Sequence, residues 1–327
     1  MNTYLYKKIV DKLQKIILIN KKYKRNCILV SISAGQDSIY LIKLLETIKT
    51  NFLGILKLQY IYIDHQWKKN SKSQIKHIIN YLKCFNSSLY IYQVKKKCYS
   101  ETQARETRYQ ILFNHAKNNN NIILITGHNS TDKIETFLQN LFKGTTIDGA
   151  TSLSEYRKSI HDFILFRPLI NNSRNEIYWL CKKLYLPIWS DQTNYYYYIT
   201  RNRLRYELLP YLKNYFSTNI EKHLNSFLKI SNIENEYLKQ NTIKIYLITR
   251  HHKMIAMNCK IIQRQHIAIQ KRIFQLFSLY NFNQVFNKEL MEKILFHLNS
   301  THLDQFLLIQ WNKNKYVCIQ KKWLYIH

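Results

Sequence analysis

The sequence predicts an α/β protein: a doubly wound parallel sheet followed by a smaller, mostly helical C-terminal domain. Short, nearly continuous apolar runs recur through the first two-thirds of the chain, and such runs are strands buried on both faces. Helix-period segments separate them, and strand–helix–strand units build parallel sheets. Beyond about Pro210 the pattern turns helical almost to the end.

In order, residues 27–32 (CILVSI) read as the first strand and residues 39–49 as the helix after it. Residues 60–63 are a second strand, followed by a helical stretch at 73–82. Residues 89–94 are a third strand and 101–117 a long helix. Residues 122–126 (IILIT) form a fourth strand, with a helix from about Thr131 to Phe142. Residues 220–239, 265–279 and 288–298 are helical, and 306–309 and 316–320 suggest short closing strands. The domains are expected to be 1–212 and 213–327. In open parallel sheets ligands bind beyond the carboxyl ends of the strands, so the residues just after each strand are where chemistry is sought.

The chain has 327 residues, enough for about two domains. No stretch approaches the roughly 18–20 consecutive apolar residues of a membrane helix, so a membrane protein is excluded. Apolar and aromatic residues throughout exclude disorder. Fifty Lys+Arg against 20 Asp+Glu give a net charge of +30, although charged residues are only 21% of the chain. Such a field draws in polyanions, nucleic acid first. The composition, with Gly 5, Pro 3 and Tyr 26, also matches a very AT-rich genome, which raises Lys without selection for binding. The six cysteines form no CxxC pair, which indicates a reducing compartment with neither disulfide framework nor zinc ribbon. The opening MNTYLYKKIVDKLQKI lacks the features of a secretory signal or transit peptide, so the protein is expected to work where it is made.

After the first strand comes Ser33-Ala34-Gly35-Gln36-Asp37-Ser38, running straight into a helix. Small residues there leave free N–H groups at the positive end of the helix dipole, an anion site. Asp37 repels phosphate unless a divalent cation bridges the two, which implies Mg²⁺ at Asp37. The loop lacks the lysine of a Walker A sequence. Taken alone, a plain strand-to-helix turn capped by Ser38 explains it as well. Asp64-His65 ends the second strand and could touch a nucleotide. Glu101, Arg105 and Arg108 share one face of the long helix, either as a solvated ion pair or as arginines aimed at phosphate. His128, Asp132 and Glu135 follow the fourth strand at i, i+4 and i+7. They could bind a metal or an ammonium group or act as a general base; the acids could equally complement a helix N-terminus. Finally Asp191-Gln192-Thr193-Asn194, four tyrosines, and Arg201-Asn202-Arg203-Leu204-Arg205 interleave aromatics with arginine, as unstacked bases require, although tyrosine here is more often packing.

In this order, the segments resemble the tRNA(Ile)-lysidine synthetase family, a branch of the PP-loop (N-type, Rossmann-like) ATP pyrophosphatases. The family's S-G-G-x-D-S loop matches residues 33–38. Its E-x-x-x-R-x-x-R-Y helix matches Glu101, Arg105, Arg108 and Tyr109, and its H-x-x-x-D-x-x-E-T-F-L element matches residues 128–138. Its R-P-L segment is Arg167-Pro168-Leu169, and its D-x-S/T-N…R-N-x-x-R…L-P element is Asp191, Thr193, Asn194, Arg201, Asn202, Arg205, Leu209 and Pro210. The match is strong over residues 25–210 and weak beyond. Three positions depart from the pattern: Ala34 for glycine, Lys143 for arginine and Gln192 for proline.

The resemblance implies a catalytic PP-loop domain over 1–212 and a tRNA-binding domain over 213–327. It implies ATP-dependent joining of free L-lysine to carbon-2 of the wobble cytidine in CAU-anticodon tRNA(Ile), through an adenylated base. Decoding then changes from AUG to AUA and identity from Met to Ile. Ser33, Ala34, Gly35, Gln36, Asp37, Ser38, Asp64 and His65 would bind ATP, with Mg²⁺ at Asp37. Asp37, Arg105, His128, Asp132 and Glu135 would be catalytic, with the base among the last three left open. Arg108, Arg201, Asn202 and Arg205 would touch tRNA. Composition fits a plastid-encoded protein of the chloroplast stroma, or an endosymbiont. No membrane is involved, and the oligomeric state stays open, a homodimer included. A thiolase of the same superfamily and a noncatalytic RNA-binding protein are the rivals; the cytidine thiolases use a CxxC pair absent here.

Overall fold

At the centre of a six-stranded sheet lies β1 (Cys27–Ile32), in a computed structural model that describes residues 3–19, 27–52, 57–66, 71–95, 100–119, 121, 123–158, 163–189, 200–300, 306–312 and 315–327. The strand order is β3-β2-β1-β4-β6-β5, with β2 at Lys57–Asp64, β3 at Ser88–Gln93, β4 at Ile123–Thr126, β5 at Tyr156–Lys158 and β6 at Ile164–Phe166. All neighbours are parallel except the β5–β6 pair. The chain moves outward from β1 to β3 and then returns to the other side of β1 with β4. The order therefore reverses between β1 and β4, the place where sheets of this kind bind ligands beyond the carboxyl ends of their strands.

The strands are apolar on both sides because both sides are covered. Ile28, Val30 and Ile32 pack with Tyr60, Tyr62, Ile123 and Ile125 under α1 (Thr3–Ile19), α2 (Gln36–Phe52) and α3 (Ser71–Lys83). Leu29, Ile61 and Leu124 point the other way, onto Leu112 and Ala116 of α4 (Glu101–Asn118). Period-2 alternation thus splits each strand between two cores. The edge strand β3 is the exception, with Ile91 and Tyr92 exposed.

The expected strands and helices of residues 27–142 all form. Two elements after them carried too weak a signal: the three-residue strands of the β5–β6 hairpin and α7 (Arg174–Lys183). α7 nevertheless has a readable start, a capping box between Ser173 and Glu176.

Two compact units divide at Leu228/Lys229, inside α10 (Ile220–Thr249) and C-terminal to the expected boundary at 212/213. Leu224 and Leu228 belong to the first unit, packed with Ile134, Phe137, Leu138, Leu204 and Leu209. The second unit holds α12 (Ile267–Phe282), α13 (Lys288–Asn299) and an antiparallel sheet in the order β7-β10-β9-β8. Its core includes Met257, Phe274, Phe277, Ile294, Val317 and Leu324. The two closing strands expected from sequence are β8 (Leu307–Asn312) and β9 (Lys315–Gln320); β7 (Ala256–Asn258) and β10 (Trp323–Ile326) complete the sheet. No described helix is long and apolar enough to cross a membrane.

A candidate nucleotide site at the rim of the sheet

The loop after β1 is drawn tight by its own hydroxyls. The Ser33 N–H donates to Ser38 Oγ at 2.9 Å, and the two Oγ atoms lie 3.0 Å apart. Gly35 N–H reaches Ser33 Oγ at 3.4 Å, while its carbonyl accepts from Ser38 and Ile39, each at 3.1 Å, to begin α2. Ala34 is buried and is not among the described residues in the left-handed region, so its methyl group costs the backbone nothing there. α7 clamps the loop from outside. The Gln36 amide donates to the Arg174 carbonyl at 2.9 Å, and the Cys181 thiol donates to the Gln36 carbonyl at 3.6 Å.

Asp37 is the strained member. Its Oδ1 is buried without a hydrogen-bond partner. Burial, then repulsion from Asp132, pushes its carboxyl up to about 6, against a partial offset from Arg174 and the amides of Asn129 and Gln36. An orphaned buried carboxylate oxygen beside an anion-binding loop fits a hard divalent cation. Among the described residues no cluster of three or more protein ligands stands there, so phosphate and water oxygens would complete the coordination.

The neighbouring rim segment, after β4, meets this loop directly: a Cβ placed on Gly127 would lie 3.6 Å from the Asp37 backbone. Asn129 then caps α5 (Ser130–Phe142) in a capping box with Asp132, both bonds at 2.9 Å. The two acids of α5 are already occupied. Glu135 is fully buried and takes Arg201 Nε at 2.6 Å and Arg205 Nε and Nη2 at 2.7 and 2.9 Å. Asp132 takes Arg201 Nη2 at 2.6 Å. Both arginines come from one face of α8 (Thr200–Arg203) and the π-helical turn Leu204–Leu208 that continues it. Pro210, with no N–H and a ring that crowds the carbonyl four residues back, accounts for the widened turn. Arg201 and Arg205, expected at tRNA, therefore face α5, and Asn202 between them is buried.

His128 completes the rim. Its Nδ1 lies 2.9 Å from Thr126 Oγ1. Burial, then the charges of Arg167, Arg108, Arg201 and Arg105, holds it well below the usual imidazole range, hence neutral at pH 7. Arg105 and Arg108 lie over the Tyr109 ring at 5.5 and 5.8 Å, the arginine face anticipated on α4. Asp64 ends β2 on the same rim, but its Oδ1 accepts a hydrogen bond from the Gln66 N–H at 2.8 Å, with His65 between them. The Glu101 side chain and residues 191–198, with Gln192, Thr193 and Asn194, lie outside the described residues. Sequence reasoning assigned no role to Arg174, Asn129 or Arg167. Asn129, as a helix cap before an acid, had a local signal; the two arginines had none beyond the R-P-L match.

A largely parallel sheet with a small-residue loop at its switch point, running straight into a helix, is the frame of a PP-loop ATP-using domain, and the PP-loop domain family matches residues 5–212. The tRNA(Ile)-lysidine synthase of the chloroplast of Gracilaria tenuistipitata var. liui is 44% identical over 99% of both chains. That of Pyropia yezoensis is 34% identical over 99% of this chain and 96% of the relative. That of the cyanobacterium Nostoc sp. is 31% identical over 76% of each. This chain belongs to the tRNA(Ile)-lysidine synthase family. The U34-tRNA thiolase NcsA of Methanococcus maripaludis shares the fold: TM-score 0.54 at 16% identity, over 69% of this chain and 79% of that one.

Proposed function

We propose that this protein joins lysine to carbon-2 of the wobble cytidine in CAU-anticodon tRNA(Ile), using ATP and releasing AMP and diphosphate, in a plastid. The observation that carries the reading is the meeting of the Ser33-to-Ser38 loop and the His128–Glu135 element on adjacent parallel strands, in a chain similar to lysidine synthases over nearly its full length.

The loop's N–H groups and the Ser33 and Ser38 hydroxyls grip the outgoing phosphates of ATP. The cytidine leaves its stack, and its carbon-2 oxygen attacks the α-phosphorus. Mg²⁺ held at Asp37 would neutralise charge building on the departing diphosphate. The lysine ε-amine then attacks carbon-2, and AMP leaves carrying the former base oxygen. That amine has an ordinary pKa near 10.4 and must first lose a proton. His128 is the unprotonated group left to accept it, a weak base among the arginines, since both carboxylates of α5 are engaged by Arg201 and Arg205. Glu135, Arg201 and Arg205 then serve to hold α5 against the 200–208 helix, so that the rim keeps its shape.

The deciding experiment supplies ATP, Mg²⁺ and radiolabelled lysine with tRNA(Ile)CAU and, separately, tRNA(Met), which carries the same anticodon. Label is expected in the former alone. Its absence there rejects the assignment.

A further inference from the structure

Arg167 follows β6 directly and is one of the largest fully buried side chains, at 2% exposure. Its Nη1 donates to the Ser154 carbonyl at 2.7 Å and its Nε is buried with no hydrogen-bond partner. Among the described residues no carboxylate pairs with it. Its neighbours add charge of the same sign, Arg105 and Arg157, with the Tyr109 phenol as the offsetting group. A buried cation without a counter-charge is expensive, so its place here calls for a reason beyond packing.

The surroundings supply it. Arg105 and Arg108 lie over the ring of Tyr109, whose buried phenol oxygen faces Arg167 at hydrogen-bonding range and meets no other partner. Burial would raise that phenol, yet Arg167, Arg105 and Arg108 together pull it below its usual value. One ring is thus surrounded by three guanidinium groups beside the neutral His128. Guanidinium forks match phosphate oxygens two at a time. Neighbouring strands lie about 4.8 Å apart, so the end of β6 is roughly 10 Å from the loop after β1, with β4 between them. One nucleotide spans that distance.

We propose that Arg167 is a positioning residue which, through Tyr109, sets Arg105 and Arg108 as a second anion cradle on the rim, for a phosphate ester distinct from the diphosphate gripped at residues 33–38. The cradle takes either the adenylyl phosphate or the tRNA phosphodiester beside the wobble base. This deepens the lysidine reading and rests on it for the choice of phosphate source.

The test compares wild type with Arg167→Met, Arg167→Lys and Tyr109→Phe. It measures AMP affinity, the KM for ATP, tRNA(Ile) affinity against salt, and urea stability. Replacing a buried charge with an apolar side chain of similar volume is commonly neutral or stabilising, so R167M is expected to fold with at least wild-type stability. If the adenylyl phosphate occupies the cradle, R167M weakens AMP binding and raises the ATP KM about tenfold or more, because Arg105 and Arg108 are no longer held in place for it. If the tRNA backbone does, AMP binding holds while the salt slope for tRNA shrinks by about one charge, the contact that Arg105 and Arg108 no longer make. In either case R167K recovers part of the loss, and Y109F, which keeps the ring, loses less than R167M. An R167M that unfolds, or one that folds with unchanged AMP affinity, tRNA affinity and salt slope, overturns the proposal. AMP binding needs neither lysine nor turnover. A wild-type protein whose AMP binding depends on Arg167 but which forms no lysidine would therefore reject the assigned reaction and leave this inference standing.

Discussion

Asp37 carries a cost in stability that can be measured. Burial lifts its carboxyl to about 6 in the folded protein, above the ordinary 3.8 of an aspartate, so the folded state takes up a proton more readily than the unfolded chain. The cost of burying the carboxylate is full above pH 6. It fades as the pH falls through 6 and is gone below about 4. In the nucleotide-free protein, lowering the pH from 7 to 5 should therefore offset on the order of 1 kcal/mol of other acid losses. D37N should flatten that component and raise the urea midpoint at pH 7, while cutting lysidine formation at least a hundredfold and sparing tRNA affinity. Urea titrations at several pH values check the first part and the labelled-lysine assay the second. Ala34 tests the opposite expectation: because its backbone does not need glycine, restoring the family's residue as A34G should lower stability by about 0.5–1 kcal/mol and bring no gain in rate. The sequence showed the substitution, but only the backbone conformation showed that it is harmless.

At the scale of elements, the joint between α5 and the 200–208 helix carries the largest electrostatic stake. Glu135 is wholly buried between two guanidinium groups. R205M strips it of one bidentate partner and should cost about 3–5 kcal/mol, seen as a lower urea midpoint. E135Q should also destabilise. A pure catalytic base would give the opposite pattern, a loss of rate with stability intact. The spacing of His128, Asp132 and Glu135 was readable as a functional face. Sequence could not say that two members of this set are spoken for, since their partners come from more than sixty residues away along the chain. Helix start signals fared better where they were local. Asn129 with Asp132, and Ser173 with Glu176, are capping boxes visible in four residues. The β5–β6 hairpin had no such mark, because three-residue strands hold too little pattern to stand out.

For the molecule as a whole, the net charge of +30 should make tRNA binding steeply salt-dependent. With about six phosphate contacts, affinity should fall roughly a thousandfold between 50 and 200 mM salt, measured by filter binding. The packing of Leu224 and Leu228 against α5 makes a second prediction. A fragment of residues 1–228 should be more stable than one of 1–212 by several kcal/mol, since the shorter one leaves that cluster open, and thermal melts decide it. The expected boundary followed the change from mixed to helical periodicity. Contacts, rather than periodicity, assign the first turns of α10 to the sheet unit.

The sequence alone determined the parallel sheet, the loop at its switch point and the family, because these rest on local periodicity and on motifs in fixed order. Tertiary structure alone decided which charges are free to act. Burial and partners set the state of Asp37, His128, Glu135 and Arg167, and those partners are brought together only when strands from distant parts of the chain align at one rim.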